Sequence, residues 1–115
     1  MENLYTDVYQ RIWGNYNIRG RITVSSANNS LTVKSSDGGI YTISVPGGEY
    51  QTDYVLQQSD LVDVINLKLQ EISAPLTAYL GSISAEEKRN DVVFQMTNAS
   101  EITEMTGSFY DAFFK

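Results

Sequence analysis

Residues 31–72 read LTVKSSDGGIYTISVPGGEYQTDYVLQQSDLVDVINLKLQEI, and this stretch sets the expected fold. Leu31 and Val33 alternate with polar neighbours, as do Tyr41, Ile43 and Val45. Between them Asp37-Gly38 is a strong hairpin signal, so the segment opens as two antiparallel strands. Pro46-Gly47-Gly48 ends the second strand. From Ser59 the apolar spacing lengthens. Leu61, Val64, Ile65, Leu69 and Ile72 recur with the helical period, and Ser59 or Asp60 suits the N-cap. Pro75 stops this helix, which is expected over 60–73.

Working outward from that core, Tyr16, Ile18, Ile22 and Val24 share one face of a strand that precedes the turn SSANNS at 25–30. Leu76, Ala78 and Leu80 alternate in a fourth strand, and Val92, Phe94 and Met96 in a fifth, with the charged connection AEEKRND (85–91) between them. Ile102 and Met105, three apart and followed by Gly107, read as a short helical turn. The expected class is α+β: a small antiparallel sheet of about five strands in the order α-β-β-β-α-β-β-α, with one covering helix and amphipathic terminal helices. The 115 residues fit a single domain. Its parts would be an N-terminal amphipathic helix (1–14), a β-rich core (16–97) and a C-terminal turn with an aromatic tail (98–115).

Composition excludes much chemistry. The chain has no Cys and no His, so disulfides, thiolate nucleophiles and the commonest metal ligand and general base are absent. A formal charge of −6 argues against nucleic acid as a partner. The charge is uneven: residues 1–34 hold four basic and two acidic groups, residues 35–115 four and twelve. That asymmetry suits either contact between copies or neutralisation within one molecule. Ser, Thr, Asn and Gln number 12, 9, 8 and 6, a polar, turn-rich make-up seen on extracellular or particle-forming proteins and also on acidic cytosolic β-rich domains. No apolar run reaches the length of a membrane span, and MENLYTDVYQ lacks the basic start and apolar stretch of a signal peptide.

The remaining polar residues have structural readings. Asp60 and Asp63, with Asp53 upstream, could face a hard cation but also suit the first turn of a helix, where the dipole favours anions. Glu86, Glu87, Asp91 and the Ser84–Lys88 pair sit in what reads as a solvated connection. Gly38-Gly39 and Gly47-Gly48 follow turn signals and match no phosphate-binding pattern. No catalytic residue, cofactor, metal or small-molecule substrate is therefore expected, and the chain is read as a non-enzyme.

Its ends are richer. Leu4, Tyr5, Val8, Tyr9, Ile12 and Trp13 form one helical stripe, and Phe109, Tyr110, Phe113 and Phe114 another. Both stripes could pack on the sheet, or at least one could dock on a neighbouring subunit. The candidate interface residues are Tyr5, Tyr9, Ile12, Trp13, Phe109, Tyr110, Phe113 and Phe114.

The order of strand, DGG turn, strand, Gly48-x-Tyr50, Leu and Ile65-Asn66-x-x-Leu69 resembles a module of virion capsid-associated proteins. It is similar also to outer domains of flagellar filament and hook-junction proteins. In that pattern Gly48 allows the tight turn, Tyr50 anchors the connection, Leu61, Ile65 and Leu69 face the sheet, and Asn66 bonds a neighbouring loop. The resemblance implies a building block of a virus particle (minor capsid, vertex or head–tail attachment component) that meets copies of itself or other virion proteins. The alternative it implies is an outer domain of an extracellular filament or cell-surface adhesion protein.

Overall fold

The structure is a computed structural model, and it describes residues 10–53, 55–56, 58–81 and 90–115. Among the described residues, nine strands and two helices follow in order: β1 (Arg11–Trp13), β2 (Gly20–Val24), β3 (Ser30–Ser35), β4 (Ile40–Ser44), β5 (Gly48–Asp53), β6 (Gln58–Ser59), α1 (Asp60–Glu71), β7 (Leu76–Leu80), β8 (Val92–Met96), β9 (Ile102–Thr106) and α2 (Ser108–Phe113). They form three antiparallel three-stranded sheets, ordered β1-β8-β7, β2-β5-β6 and β4-β3-β9. The expected single sheet of about five strands is therefore corrected to three small sheets with nine strands.

The framework is one long hairpin. Its tip is Ser35–Gly39, and its two arms run through β3 into β2 and through β4 into β5. Val33 faces Tyr41 near the tip and Ile22 faces Tyr50 at the base. At the corner Val24 faces Gly48, while Val45 N–H donates to the Asn29 carbonyl at 2.9 Å. Four residues of one arm (25–28) thus oppose two of the other (46–47). The longer side folds into a turn closed by Asn28 N–H on the Ser25 carbonyl, and the ribbon bends from one sheet into another. Tyr50 braces the bend, its hydroxyl donating to the Pro46 carbonyl at 2.6 Å.

Asp37 fixes the hairpin tip. Its carboxylate accepts from the Ser35 hydroxyl and from Gly39 N–H, and Gly38 takes a φ of +92°. The Ser35 hydroxyl first, then the Gly39 amide, holds the carboxyl below its ordinary value of 3.8. A depressed carboxylate pKa adds stability above the ordinary value, and that stability is lost as pH falls through the folded value. Asp37→Asn should therefore flatten the acid limb of a urea-midpoint profile below pH 4, and an unchanged limb would show that the tip does not feel this charge.

Helix α1 begins where expected. Ser59 is its N-cap, its hydroxyl accepting from Val62 N–H at 3.2 Å and from the buried Thr52 hydroxyl at 2.8 Å. Asp60 and Asp63 lie in the first turn and Lys68 in the last, as the helix dipole favours. Leu61, Val62, Ile65 and Leu69 are buried against β5 and β7.

Three sequence readings are corrected here. Residues 11–13 are strand, not helix: Ile12 faces Phe94 and Trp13 faces Val93. Pairing with β8 overrides the local helical spacing; the rest of that stripe, with Tyr5 and Tyr9, lies outside the described residues, as do Ser84, Glu86, Glu87 and Lys88 of the charged connection. Residues 102–106 are also strand, paired with β3. Lys34 faces Glu104 but Ser35 faces Ile102, so Thr103 is an extra, bulged residue. A bulge leaves Ile102 and Met105 on one side although they are three apart, which is helical spacing. Finally GEYQTD, read as connection, is β5, the central strand of its sheet.

The C-terminal helix closes the core. Gly107 enters it at a φ of +114°, and a Cβ there would lie 2.3 Å from the Ser30 carbonyl oxygen. Only glycine passes so close to β3 in this backbone region. Asn15 N–H donates to the Phe113 carbonyl at 2.7 Å, which ties the helix to the end of β1.

Candidate protein interface

Strand β1 and helix α2 carry the candidate residues that lie within the described part of the chain, and the fold sorts them. Phe109, Phe113 and Phe114 are buried in the main core with Phe94. Phe94 and Phe114 stack at 5.1 Å, and Phe109 and Phe113 meet at 4.6 Å. These three side chains face inward, so a surface in this region must be built from Ile12, Trp13 and Tyr110.

Those three are half-buried, and they lie in two places because successive strand residues face opposite sides. Ile12 points to the core side. With Ile102, Met105 and Tyr110 it lines a groove of about 180 Å³ between β1 and β9. Gln10, just before β1, links β8 and β9: its carbonyl accepts from Met96 N–H at 2.9 Å and its side-chain oxygen from Ile102 N–H at 2.5 Å.

Trp13 points the other way. It stands in a row with Val93 and Tyr79 across β1, β8 and β7. Val93 is 0% exposed yet lies outside the main core cluster, and its two row neighbours are half-buried aromatics. The sheet β1-β8-β7 therefore carries a second apolar cluster on the face away from the core. Spacing could have signalled this row: Val93 interrupts the alternation of Val92, Phe94 and Met96 with a fourth apolar residue in a run.

Asn66, placed against a loop by the sequence reading, instead holds a strand. Its amide donates to the Ala78 carbonyl and accepts from Ala78 N–H, both at 2.8 Å. That is the bonding a neighbouring strand would supply, so α1 caps the outer edge of β7 with one side chain. No sequence signal beyond the residue type marks this role.

Acidic groups show no gathering that would hold a cation: among the described residues no three of His, Cys, Asp or Glu lie together. No helix among the described residues is long and apolar enough to cross a membrane. Comparison of the chain with protein-family models, curated proteins and solved structures returns no match.

Proposed function

We propose that this chain is a non-enzymatic structural protein of a virus particle, a minor capsid, vertex or head–tail attachment component, acting by contact with other virion proteins or with copies of itself. The observation that supports this reading best is the Trp13–Val93–Tyr79 row, an aromatic cluster turned away from the core. Aromatic side chains carry large contact areas at low entropic cost, and Trp and Tyr dominate interface energetics. Among the described residues strand β1 lies at the outside of its sheet, with Trp13 on one face and the Ile12–Tyr110 groove on the other.

Trp13 is the only tryptophan of the chain, and its fluorescence reports this surface directly. Incorporation of the tagged chain into particles should shift its emission to the blue. Trp13→Ala should cost about 1–2 kcal/mol of folding stability but lower incorporation by about tenfold or more. Equal loss of folding and incorporation would make Trp13 an ordinary packing residue. A monomeric chain that joins no particle would end the reading altogether.

A further inference from the structure

An unpaired strand edge invites another strand, and proteins blunt such edges with charge, proline, bulges, brevity or a covering element. Most outer strands here carry such a device. Strand β7 is clasped by Asn66, β6 has two residues and β1 three, β2 carries Arg21, and β9 carries Glu104 and a bulge. Strand β4 differs. Ile40-Tyr41-Thr42-Ile43-Ser44 has no charge and no proline, and among the described residues it has a strand partner on one side alone, β3. Ile40 at its start is 65% exposed.

The free side of β4 can be read from its bonded side. Val45 N–H donates to the Asn29 carbonyl and Ser35 N–H to the Gly39 carbonyl, so the odd-numbered residues turn their backbone groups toward β3. Alternation then places the N–H and C=O of Ile40, Thr42 and Ser44 on the open side. These residues form a self-complementary set. If Thr42 faces its own copy across a two-fold axis, Ile40 faces Ser44 of that copy, and about six main-chain hydrogen bonds close. The same register sets Tyr41 opposite Ile43 of the second copy twice, an aromatic–β-branched pairing that favours sheets.

Self-complementarity points to a second copy as the occupant, and charge does not bar it at this strip. With a net charge of −6, two copies repel over most of their surfaces. The β4 strip is neutral, and the charges nearest to it in the sheet, Lys34 and Glu104, pair with each other at 3.4 Å. We propose that β4 is a homodimerisation edge: two copies join their β4-β3-β9 sheets into one continuous sheet through antiparallel β4 pairing. This goes beyond the assembly reading above and does not depend on Trp13 or on the groove at β9, which borders the opposite edge of the same sheet. Edge pairing over five residues buries little area, so the dimer is weak, with a dissociation constant on the order of 0.1 mM.

Sedimentation equilibrium of the full chain up to about 1 mM should show a monomer–dimer equilibrium. Over the same range, amide exchange at Thr42 and Ser44 should slow as concentration rises. Thr42→Pro removes an outward N–H that β3 does not use, and Ile40→Lys charges the edge. Each should weaken the dimer by about tenfold or more while thermal unfolding stays close to wild type; Trp13→Ala should leave the dimer intact. A monomer throughout the range would overturn the proposal. So would a dimer indifferent to both edge variants, unchanged exchange at Thr42, or a dimer lost with Trp13→Ala, which would move self-association to the β1 surface.

Discussion

Phe109→Ala should cost about 3–5 kcal/mol of folding stability, the usual range for removing a buried phenylalanine. Phe109 is 0% exposed, meets the Phe113 ring at 4.6 Å and the Phe114 ring at 6.4 Å, and sits where α2 packs against β3 and β9. Its removal opens a cavity beside two rings, Phe113 and Phe114, and loosens the element that closes the core. For a domain of ordinary stability, roughly 5–15 kcal/mol, such a loss leaves a chain that unfolds in mild urea. Its neighbour supplies the contrast. Tyr110→Ala removes a half-buried ring stacked on Phe114 at 6.2 Å and should cost about 1 kcal/mol. Urea midpoints of the two variants decide the matter. Similar small losses would mean that the aromatic tail is a surface stripe and not part of the core.

The second large effect belongs to Asn66. Asn66→Ala deletes two hydrogen bonds of 2.8 Å and strands the N–H and C=O of Ala78, itself buried, without a partner. Each lost bond is worth about 1 kcal/mol and an orphaned buried group costs more, so about 2–4 kcal/mol is expected. The variant should also change exchange at one place: the Ala78 amide, otherwise protected by the Asn66 oxygen, should exchange much faster while its neighbours in β7 keep their bonds to β8. A stability loss with no change at Ala78 would mean that Asn66 acts through helix packing alone. Uncapping β7 would also give the chain a second open edge, so this variant should aggregate sooner than Phe109→Ala at equal destabilisation.

These two residues also mark how far the sequence could be read. The aromatic stripe of the tail was legible as a helix, because Phe109 and Phe113 recur at helical spacing. Its direction was not. An amphipathic stripe is the same pattern whether its apolar face meets its own sheet or a neighbour, and only the position of Phe94 and β3 sets the choice. Asn66 was legible only as a polar residue within the helix, between Ile65 and Leu69, expected to bond a neighbouring loop. Its partner, Ala78, lies in a strand whose edge is exposed to α1 only because β8 takes the other side.

Strand β5 shows a different limit. GEYQTD has almost no apolar alternation, with Thr52 its one buried side chain. Hydrogen bonding on both sides makes it a strand, and those bonds come from Gly20–Val24 and from Gln58–Ser59. Nothing within the six residues announces either partner.

The sequence by itself therefore determined what is local: the Asp37-Gly38 tip, the Ser59 cap, Leu61, Ile65 and Leu69 on the buried face of α1 (where Val62 joins them and Ile72 is exposed instead), the alternation of β4, β7 and β8, and the helical tail. Each depends on side chains within a few residues, where backbone preference and capping act directly. The tertiary structure decided the rest: that β1 and β9 are strands, that the sheet is three sheets, that three phenylalanines turn into the main core while Trp13 lies half-buried on the other face of its sheet, and that β4 has one strand partner among the described residues. A strand is completed by hydrogen bonds from another segment, and in this chain Ser35 finds its partner at Ile102. That pairing is a property of the folded chain, because no short window of residues contains both halves of it.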